Sequence, residues 1–436
     1  MLGHPKLRYR ELNTAAHQAL YMARIRKLQY ADPGELHRYH ASLLSRAMRF
    51  AADTIPYYHR LSKGAQGSPN NLRQLGDFPV VTKQDVIGDR AAFLNPNADL
   101  SGAWRNNTSG STGTPSTFYF DWKSARINKA LYRFSMFESG MRPWHRLGRD
   151  YTTSPKPTRW YESFGFMRTR CFSTFEQGGI TARKMAKWRP HVLYLTPSHL
   201  QLLCYGALEE GIALSVNIVL TQGETLLESQ RKTIMNTLQA DIRDQYGSAE
   251  FPRIAWECEE GNYHILPEQI VEVLDEKGET VSPGERGRII CTQLRNTIMP
   301  LMRYDTGDLA VQGDYEPCNC GRRLPTLVSI EGRDDSFIVN KTGERISPRV
   351  LDGSLSQNPE IRIYEAYQRQ EGQLLLRLVL KDPGSDPSSL TGVSALRKGF
   401  GDGVDLTVEV VEDLPLQASG KRRVMTSTLP ASRINT

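Results

Sequence analysis

Short apolar runs alternate with helical segments between residues 181 and 246, and this alternation constrains the fold more than any other feature. The predicted order is helix 181–188, strand 192–195, helix 197–211, strand 217–220, a helix ending near 238 and strand 241–246. Strands separated by helices of this length form βαβ units, which build a parallel sheet. Ligands of such sheets lie beyond the carboxyl ends of the strands. We therefore predict an α/β fold with its site at that edge.

The rest of the chain predicts further elements around this sheet. We expect helices within 10–60 and over 122–140 and strands at 103–104 and 117–120. Irregular structure is expected over 148–182, and a β-rich subdomain over 255–330. The final residues predict a compact unit with strands 361–368, 374–380 and 406–411 and a helix over 387–398. A chain of 436 residues exceeds what one hydrophobic core usually organises. We expect a domain boundary near residue 332.

Residues 107–116 read Asn-Thr-Ser-Gly-Ser-Thr-Gly-Thr-Pro-Ser and carry no charge. Gly110 and Gly113 allow the backbone to approach a ligand closely, and successive backbone N–H groups in such turns form an anion-binding concavity. The flanking segments have the pattern of strands, which favours a phosphate-binding hairpin over a flexible Ser/Gly linker. The pattern lacks the Gly-Lys-Ser/Thr end of the Walker motif.

Charge and composition argue against several classes of protein, although charge alone leaves nucleic-acid binding open. The net charge of +7 comes from scattered basic residues, which suits anionic small substrates, and no nucleic-acid recognition motif accompanies it. No apolar run approaches the length of a membrane helix, and residues 1–6 do not begin an apolar signal-peptide core. We expect a cytoplasmic protein whose partners include neither nucleic acid nor membrane.

Four further motifs fall at predicted strand ends and turns. They are Tyr246-Gly247-Ser248-Ala249-Glu250, Arg303-Tyr304-Asp305-Thr306-Gly307-Asp308, Gly332-Arg333-Asp334-Asp335 and Ser419-Gly420-Lys421. A strand-end aromatic ring can stack on a base, a carboxylate can bind Mg²⁺, and an Asp in a tight turn can accept both hydroxyls of a ribose. Each motif alone also fits an ordinary solvated turn, so only their joint order is informative.

The order of these motifs after the Ser/Thr/Gly turn resembles that of the adenylate-forming superfamily of acyl-CoA synthetases, nonribosomal-peptide adenylation domains and luciferases. The segments 49–58 and 300–305, the Cys318-Asn319-Cys320 pair and the short chain are similar to the branch of phenylacetate–CoA ligases and capsule-biosynthesis adenylating proteins. The resemblance covers nearly the whole chain. It implies an N-terminal domain of residues 1–332, with mixed sheets flanked by helices, and a small mobile α+β domain of residues 333–436.

The resemblance also implies roles for individual residues. The phosphate-binding set, which would hold the β- and γ-phosphates of ATP, comprises Ser109, Gly110, Ser111, Thr112, Gly113 and Thr114. Gly223 and Glu224 would line the adenine or acyl pocket, and Tyr246, beside Gly247 and Ser248, would stack on adenine. Glu250 would bind Mg²⁺, and Asp308, with Arg333 beside it, would hold the ribose hydroxyls. Asp335 would be the hinge between the domains. Lys421 would contact the substrate carboxylate and the α-phosphate.

The implied reaction is ATP-dependent conversion of a carboxylic acid to an acyl-adenylate with release of pyrophosphate. CoA is the leading acceptor in the second step, and a carrier-protein thiol or an amine is the alternative. A homodimer is compatible with this class. The family usually has Thr or Ser before the Glu of the Tyr-Gly motif, whereas this chain has Ala249. That departure leaves open a non-catalytic nucleotide-binding paralogue.

Four Cys and His residues predict a structural metal site. Cys318 and Cys320 form a tight pair, and Cys258 and His264 lie upstream in the same β-rich segment. Ligands of these types in two halves suit four-coordinate Zn²⁺, although Cys-x-Cys is tighter than the usual spacing. The alternative is a set of reduced buried thiols beside a surface His. We expect Cys171, Cys204 and Cys291 to be core residues.

Overall fold

The computed structural model describes residues 5–63, 74–108, 116–152, 158–340, 345–399 and 405–429, with side chains from residue 14 onward. The helices are α1 (Pro5–Leu28), α2 (Pro33–Thr54), α3 (Pro56–Ser62), α4 (Lys83–Gly88), α5 (Trp122–Glu138), α6 (Gly178–Trp188), α7 (Pro197–Glu209), α8 (Glu228–Leu238), α9 (Pro348–Leu355) and α10 (Thr391–Gly399). No helix in these ranges is both long enough and apolar enough to span a bilayer.

The strands confirm the predicted α/β class. They are β1 (Trp104–Asn107), β2 (Thr117–Phe120), β3 (Leu147–Tyr151), β4 (Thr169–Ser173), β5 (Val192–Leu195), β6 (Ile218–Gln222), β7 (Asp241–Tyr246), β8 (Ala255–Glu257), β9 (Tyr263–Ile265), β10 (Gln269–Leu274), β11 (Arg286–Gln293), β12 (Tyr304–Gln312), β13 (Thr326–Arg333), β14 (Ile338–Val339), β15 (Arg345–Ile346), β16 (Ile361–Gln368), β17 (Gln373–Leu380), β18 (Asp405–Val410) and β19 (Met425–Ser427).

The described residues group into two compact units. Unit 1 takes those within Met1–Gly140 and Gln245–Ile330, and unit 2 takes those within Met141–Asp244 and Glu331–Arg433. Unit 1 contains the β1–β2 hairpin and the antiparallel pairs β10–β11, β11–β12, β9–β13 and β8–β9. Its main core packs α2, α3 and the β1–β2 hairpin against these strands, around fully buried side chains such as Tyr58, Phe78 and Tyr304.

The described part of unit 2 contains two larger groups of paired strands and the short antiparallel pair β14–β15. In the first, β3 pairs in parallel with both β4 and β5, and β5 pairs in parallel with β6. Helices α6, α7 and α8 cover this sheet through an apolar core that includes Leu193, Leu200 and Ile234. The second sheet has the order β18-β17-β16-β19 and packs on α9 and α10 around Leu351, Leu376 and Val393.

Residues 148–182 differ from the sequence-based expectation of irregular structure, because they contain β3 and β4. Strand β3 reads Leu-Gly-Arg-Asp-Tyr, and Gly148 in it lies against the Leu193 and Phe172 side chains where a larger residue would collide. Strand β4 is the outermost strand, and Phe172 is its one fully buried residue in the described range. Neither strand needs the apolar alternation on which sequence-based recognition relies.

Candidate functional site

The carboxyl ends of the parallel strands in unit 2 meet at one edge, as expected for βαβ units. Strands β3, β4, β5 and β6 run in the same direction and end at Tyr151, Ser173, Leu195 and Gln222. The segments that follow these ends carry hydroxyl groups, carboxylates and Gly223. We call this the carboxyl edge.

Glu224 links two segments at the carboxyl edge. One carboxylate oxygen, Oε2, accepts a hydrogen bond from the Ser198 backbone N–H at 2.9 Å, at the N-terminus of α7. The other, Oε1, accepts a hydrogen bond from the Arg422 backbone N–H at 2.8 Å. Burial raises the pKa of the Glu224 carboxyl, while these amides and the nearby Lys421 ammonium oppose that shift. A carboxylate held by two N–H donors next to a cation is a stable anchor for the segment around Arg422.

Residues 417–423, here called the lysine loop, dock on the carboxyl edge. The loop is closed by hydrogen bonds from Gln417 N–H to the Lys421 carbonyl at 2.9 Å and from Gly420 N–H to the Gln417 carbonyl at 2.8 Å. Gly420 has a φ of +72°, and a Cβ added there would lie 2.6 Å from Thr152 Cγ2 and 2.7 Å from Thr174 Oγ1. The loop therefore contacts the ends of β3 and β4 so closely that only glycine fits.

Lys421 reaches Gly223 from the tip of the lysine loop. A Cβ added to Gly223 would lie 3.3 Å from Lys421 Nζ and 3.9 Å from Thr196 Cγ2. Gly223 has a φ of +78°, a conformation that L-residues with side chains rarely adopt. The missing side chain leaves the space that the ammonium group uses. Lys421, Gly223 and Glu224, which the sequence analysis selected from distant motifs, lie together here.

Arg333 and Asp335 lie at the start of the final segment of unit 2. Asp335 accepts a hydrogen bond from Arg333 Nε at 3.5 Å through Oδ1 and one from Arg423 Nη2 at 3.3 Å through Oδ2. The preceding Asp334 is buried and forms an ion pair with Arg345. Asp335 thus contacts the end of the lysine loop.

A second set of sequence-selected residues lies together within unit 1. The Tyr246 hydroxyl donates a hydrogen bond to Asp308 Oδ2 at 2.8 Å. Burial and the nearby Asp308 carboxylate raise the pKa of Tyr246 well above its usual value. Glu250 is 6% exposed, and its Oε1 accepts a hydrogen bond from the Tyr304 hydroxyl at 3.0 Å. Two carboxylates thus lie near the end of β7: Asp308, in the middle of β12, and Glu250, four residues after Tyr246.

The turn after Tyr246 is tightly packed. A Cβ added to Gly247 would lie 2.7 Å from the Pro252 carbonyl oxygen, so this position requires glycine. The Ser248 N–H donates to the Phe251 carbonyl at 2.8 Å, which closes the turn. Asn106 Nδ2 donates to the Ala249 carbonyl at 3.1 Å and ties the turn to β1.

The Ser/Thr/Gly turn, with Ser109, Gly110, Ser111, Thr112, Gly113 and Thr114, lies outside the described residues. Its flanks confirm the predicted hairpin, because β1 and β2 pair in antiparallel register and Thr108 and Ser116 continue the pairing. Lys83 Nζ contacts Thr108 Oγ1 at 3.5 Å. The sequence analysis did not select this cation, and its position after the Thr82 helix cap was the available signal.

The predicted metal ligands lie together in unit 1. One ligand atom from each of Cys258, His264, Cys318 and Cys320 lies within 4.8 Å of all the others. The Cys258 and Cys318 sulfur atoms are 3.9 Å apart, and His264 Nε2 is 3.2 Å from the Cys320 sulfur. Tetrahedral Zn²⁺ with bonds of about 2.3 Å to sulfur requires a sulfur–sulfur distance of about 3.8 Å. The arrangement therefore fits this ion.

The remaining three cysteines and several aromatic residues differ in how far they are buried. All six cysteines lie in the described residues as free thiols; Cys204 and Cys291 are buried and Cys171 is half-buried. Three aromatic rings of unit 2, Trp144, Phe164 and Phe166, are between 52% and 68% exposed and therefore face solvent.

Comparisons with known proteins agree with the motif order. No family model matches the sequence. The chain is 28% identical over 358 residues to a phenylacetate-coenzyme A ligase of Thermus thermophilus, covering 76% of this chain and 78% of that protein. It is 23% identical over 249 residues to protein CapK of Staphylococcus aureus, covering 55% and 54%. A structure of 2-hydroxyisobutyryl-CoA ligase in the postadenylation state, with R3-HIB-AMP, shares the fold with a TM-score of 0.74, 21% identity and 92% coverage of each chain.

Replacing Gly420 with Val should release the lysine loop from the carboxyl edge. The added side chain collides with Thr152 and Thr174 and disfavours the positive φ, which together cost at least about 1–2 kcal/mol. Tryptic cleavage after Lys421, Arg422 or Arg423 should accelerate about tenfold, the factor that corresponds to ~1.4 kcal/mol. Gly384→Val is the matched control, because a Cβ added there would lie no closer than 3.4 Å to the Asp382 side chain. Equal cleavage rates in the two variants would contradict the docking.

Proposed function

Because the chain belongs to the adenylate-forming superfamily, in the branch of phenylacetate–CoA ligases and capsule-biosynthesis adenylating proteins, we propose that it joins a carboxylic acid to CoA at the expense of ATP. The first step forms an acyl-adenylate and releases pyrophosphate, and the second transfers the acyl group to the CoA thiol. The comparisons support an AMP-forming acid–CoA ligase as the class of enzyme. The observation that carries the proposal is the placement of Lys421 beside Gly223 at the carboxyl edge.

Lys421 addresses the main electrostatic problem of the first step. A substrate carboxylate must attack the α-phosphorus of ATP, which brings two anions together, and a positioned ammonium group offsets this repulsion most strongly in the transition state. The carboxylate oxygen forms the new bond to phosphorus, and pyrophosphate leaves with the electrons of the broken P–O bond. Glu224 fixes the loop that carries the ammonium group, and Gly223 leaves room for it.

The other selected residues have proposed roles in binding ATP. Asp308 would accept the ribose hydroxyls, Tyr246 would contact the adenine ring, and the Ser/Thr/Gly turn would hold the β- and γ-phosphates. Glu250 offers a carboxylate of the type that Mg²⁺ prefers, and one of its oxygens is already oriented by Tyr304. Mg²⁺ bound there would neutralise charge on the phosphates.

The second step is proposed to use a rotation of residues 333–436 about Asp335. In this structure the segment is fastened within unit 2 by Asp352, which accepts a hydrogen bond from the Ser229 N–H at 2.9 Å. Rotation would break the Asp352–Ser229 contact together with the Glu224–Arg422 contact. The two steps would therefore use different positions of the same segment, a hinge motion common among enzymes.

Two alternatives to this proposal stay open. The residue at position 249, Ala in place of the usual Thr or Ser, supports a non-catalytic nucleotide-binding paralogue. For the second step, the alternative is transfer of the acyl group to an amine or a carrier protein. Methyl in place of hydroxyl removes one hydrogen-bond donor near the phosphates. Acid-dependent formation of pyrophosphate would exclude the non-catalytic alternative. Detection of an acyl-CoA would favour CoA over the other acceptors.

We also propose that Cys258, His264, Cys318 and Cys320 hold a structural Zn²⁺. Bound zinc would crosslink β9 and its neighbours to the loop before β13. Four protein ligands would leave no open coordination position for a substrate, so the proposed role is stability and not chemistry. Free thiols throughout the described chain are typical of a reducing compartment, which supports a cytoplasmic location.

Lys421→Ala should abolish acyl-adenylate formation while leaving thioester formation from supplied acyl-adenylate intact. Loss of one electrostatic partner of the transition state typically slows the step by about 10²–10³-fold. Pyrophosphate–ATP exchange measures the first step, and acyl-CoA formed from synthetic acyl-adenylate measures the second. Lys398→Ala, at an exposed position near the end of α10, controls for loss of a surface charge. Wild-type exchange in Lys421→Ala would overturn the assigned role.

The purified chain should contain about one zinc per molecule by plasma mass spectrometry. Cys258→Ser and Cys318→Ser should lower this content and the thermal unfolding midpoint, because the ion crosslinks separate segments. Cys171→Ser, which removes a half-buried thiol outside the cluster, should retain the metal. A metal-free wild-type protein with an unchanged unfolding midpoint in the presence of added zinc would argue against the site.

A further inference from the structure

At the start of α7, side chains from other segments accept the hydrogen bonds of the backbone N–H groups. Thr196 is the N-cap residue, and a Thr at this position normally accepts a hydrogen bond from the N2 or N3 backbone N–H. Here its side chain makes no such bond, because Glu224 Oε2 accepts the Ser198 N–H instead. The Thr196 N–H donates to Asp150 Oδ2 at 2.8 Å. Two carboxylates from other segments thus satisfy the backbone and leave the Thr196 hydroxyl unused.

Thr196 and His199 keep buried polar atoms without partners. Thr196 is 8% exposed and His199 is 1% exposed. Within the described part of the chain, neither Thr196 Oγ1 nor either ring nitrogen of His199 has a hydrogen-bond partner. Such groups are rare, since each costs free energy unless a ligand or an ordered water satisfies it. Thr196 is the N-cap residue of α7 and His199 is in the first turn, so both groups belong to the surface of this first turn.

This surface lies next to the catalytic lysine of the proposed reaction. The Lys421 ammonium nitrogen and the Thr196 methyl carbon, Cγ2, flank the position that a Cβ of Gly223 would occupy, at 3.3 and 3.9 Å. Lys421 is proposed to contact the carboxylate of the acid, so Thr196 lies within one side chain of that carboxylate. The two residues with unpaired polar atoms therefore belong to the helix start that borders the proposed position of the acid.

The chemistry of the two side chains selects a type of substituent. Burial lowers the pKa of His199, so the neutral imidazole offers one donor and one acceptor, as the Thr hydroxyl does. The nearby carboxylates are engaged, Asp150 with the Thr196 N–H and Glu176 with Thr181 and Lys184. A neutral group that both donates and accepts matches this surface better than a cation or a hydrocarbon.

We propose that Thr196 and His199 form a polar subsite that recognises a hydroxyl substituent on the carboxylic acid substrate. The inference rests on the proposed ligase function and narrows its substrate class to hydroxylated acids. A site built to pair with a hydroxyl rejects the analogue that lacks it, because the buried polar groups are then left unpaired. The preference would thus come from the enzyme's own unsatisfied groups.

The test measures acid-dependent pyrophosphate release by the full chain with ATP and matched pairs of acids. The pairs are lactate and propionate, 3-hydroxybutyrate and butyrate, 4-hydroxyphenylacetate and phenylacetate, and salicylate and benzoate. The best substrate should be a hydroxylated acid with kcat/KM at least about tenfold above its partner. Turnover of the pairs without a hydroxyl preference would overturn this inference and leave the ligase function standing. No release with any acid would contradict both.

Variants assign the preference to the subsite. Thr196→Val and His199→Phe should each reduce the ratio within the preferred pair by about tenfold, mainly through slower use of the hydroxylated acid. Thr196→Ser should retain the ratio, which separates the hydroxyl's role from packing. Thr237→Val, whose hydroxyl bonds the Thr233 carbonyl on α8, is the matched control. An unchanged ratio in the folded Thr196→Val protein would also overturn the proposal.

Discussion

The carboxylate of Glu224 is the interaction on which the arrangement of unit 2 depends. One of its oxygens accepts the N–H of Ser198 at the start of α7, and the other accepts the N–H of Arg422 in the lysine loop. A single side chain thus joins the carboxyl edge of a parallel sheet to a segment nearly 200 residues away in sequence. Burial raises the pKa of Glu224, and the two N–H donors and the adjacent Lys421 oppose that shift and favour the charged carboxylate.

The contacts of Glu224 and the adjacent Gly223 also explain why unpaired polar groups and the Lys421 ammonium group lie at the same carboxyl edge. Because Glu224 takes over the capping of α7, the Thr196 hydroxyl is free, and the unpaired His199 lies one turn into the helix. Because Gly223 has no side chain, the Lys421 ammonium group can lie beside it. The local features that look unfavourable, namely a positive φ, an unused cap and a buried imidazole, are those expected where a protein gives up stability for function.

Much of the fold was predictable because its signals are local. Strands β5, β7 and β16 begin and end at the residues that the sequence analysis predicts. Strands β3 and β4 were not predicted, because pairing with neighbouring strands, and not an apolar pattern in their own sequence, makes these segments extended. Gly223, Glu224 and Lys421 were selected through the family resemblance that the order of the motifs supports. Thr196 and His199 were not, because an ordinary Thr-Pro-Ser-His helix start becomes unusual only when Asp150 and Glu224 satisfy its backbone.

The most direct test of this account is the single-turnover rate of pyrophosphate release by Glu224→Gln. The amide keeps the shape of the side chain but has one acceptor oxygen in place of two and no charge. Losing a hydrogen bond to a charged group costs about 1.5–3 kcal/mol, so the account predicts a rate at least about tenfold lower, in a protein that remains folded. A rate equal to that of the wild type would contradict the claim that Glu224 places Lys421 for catalysis.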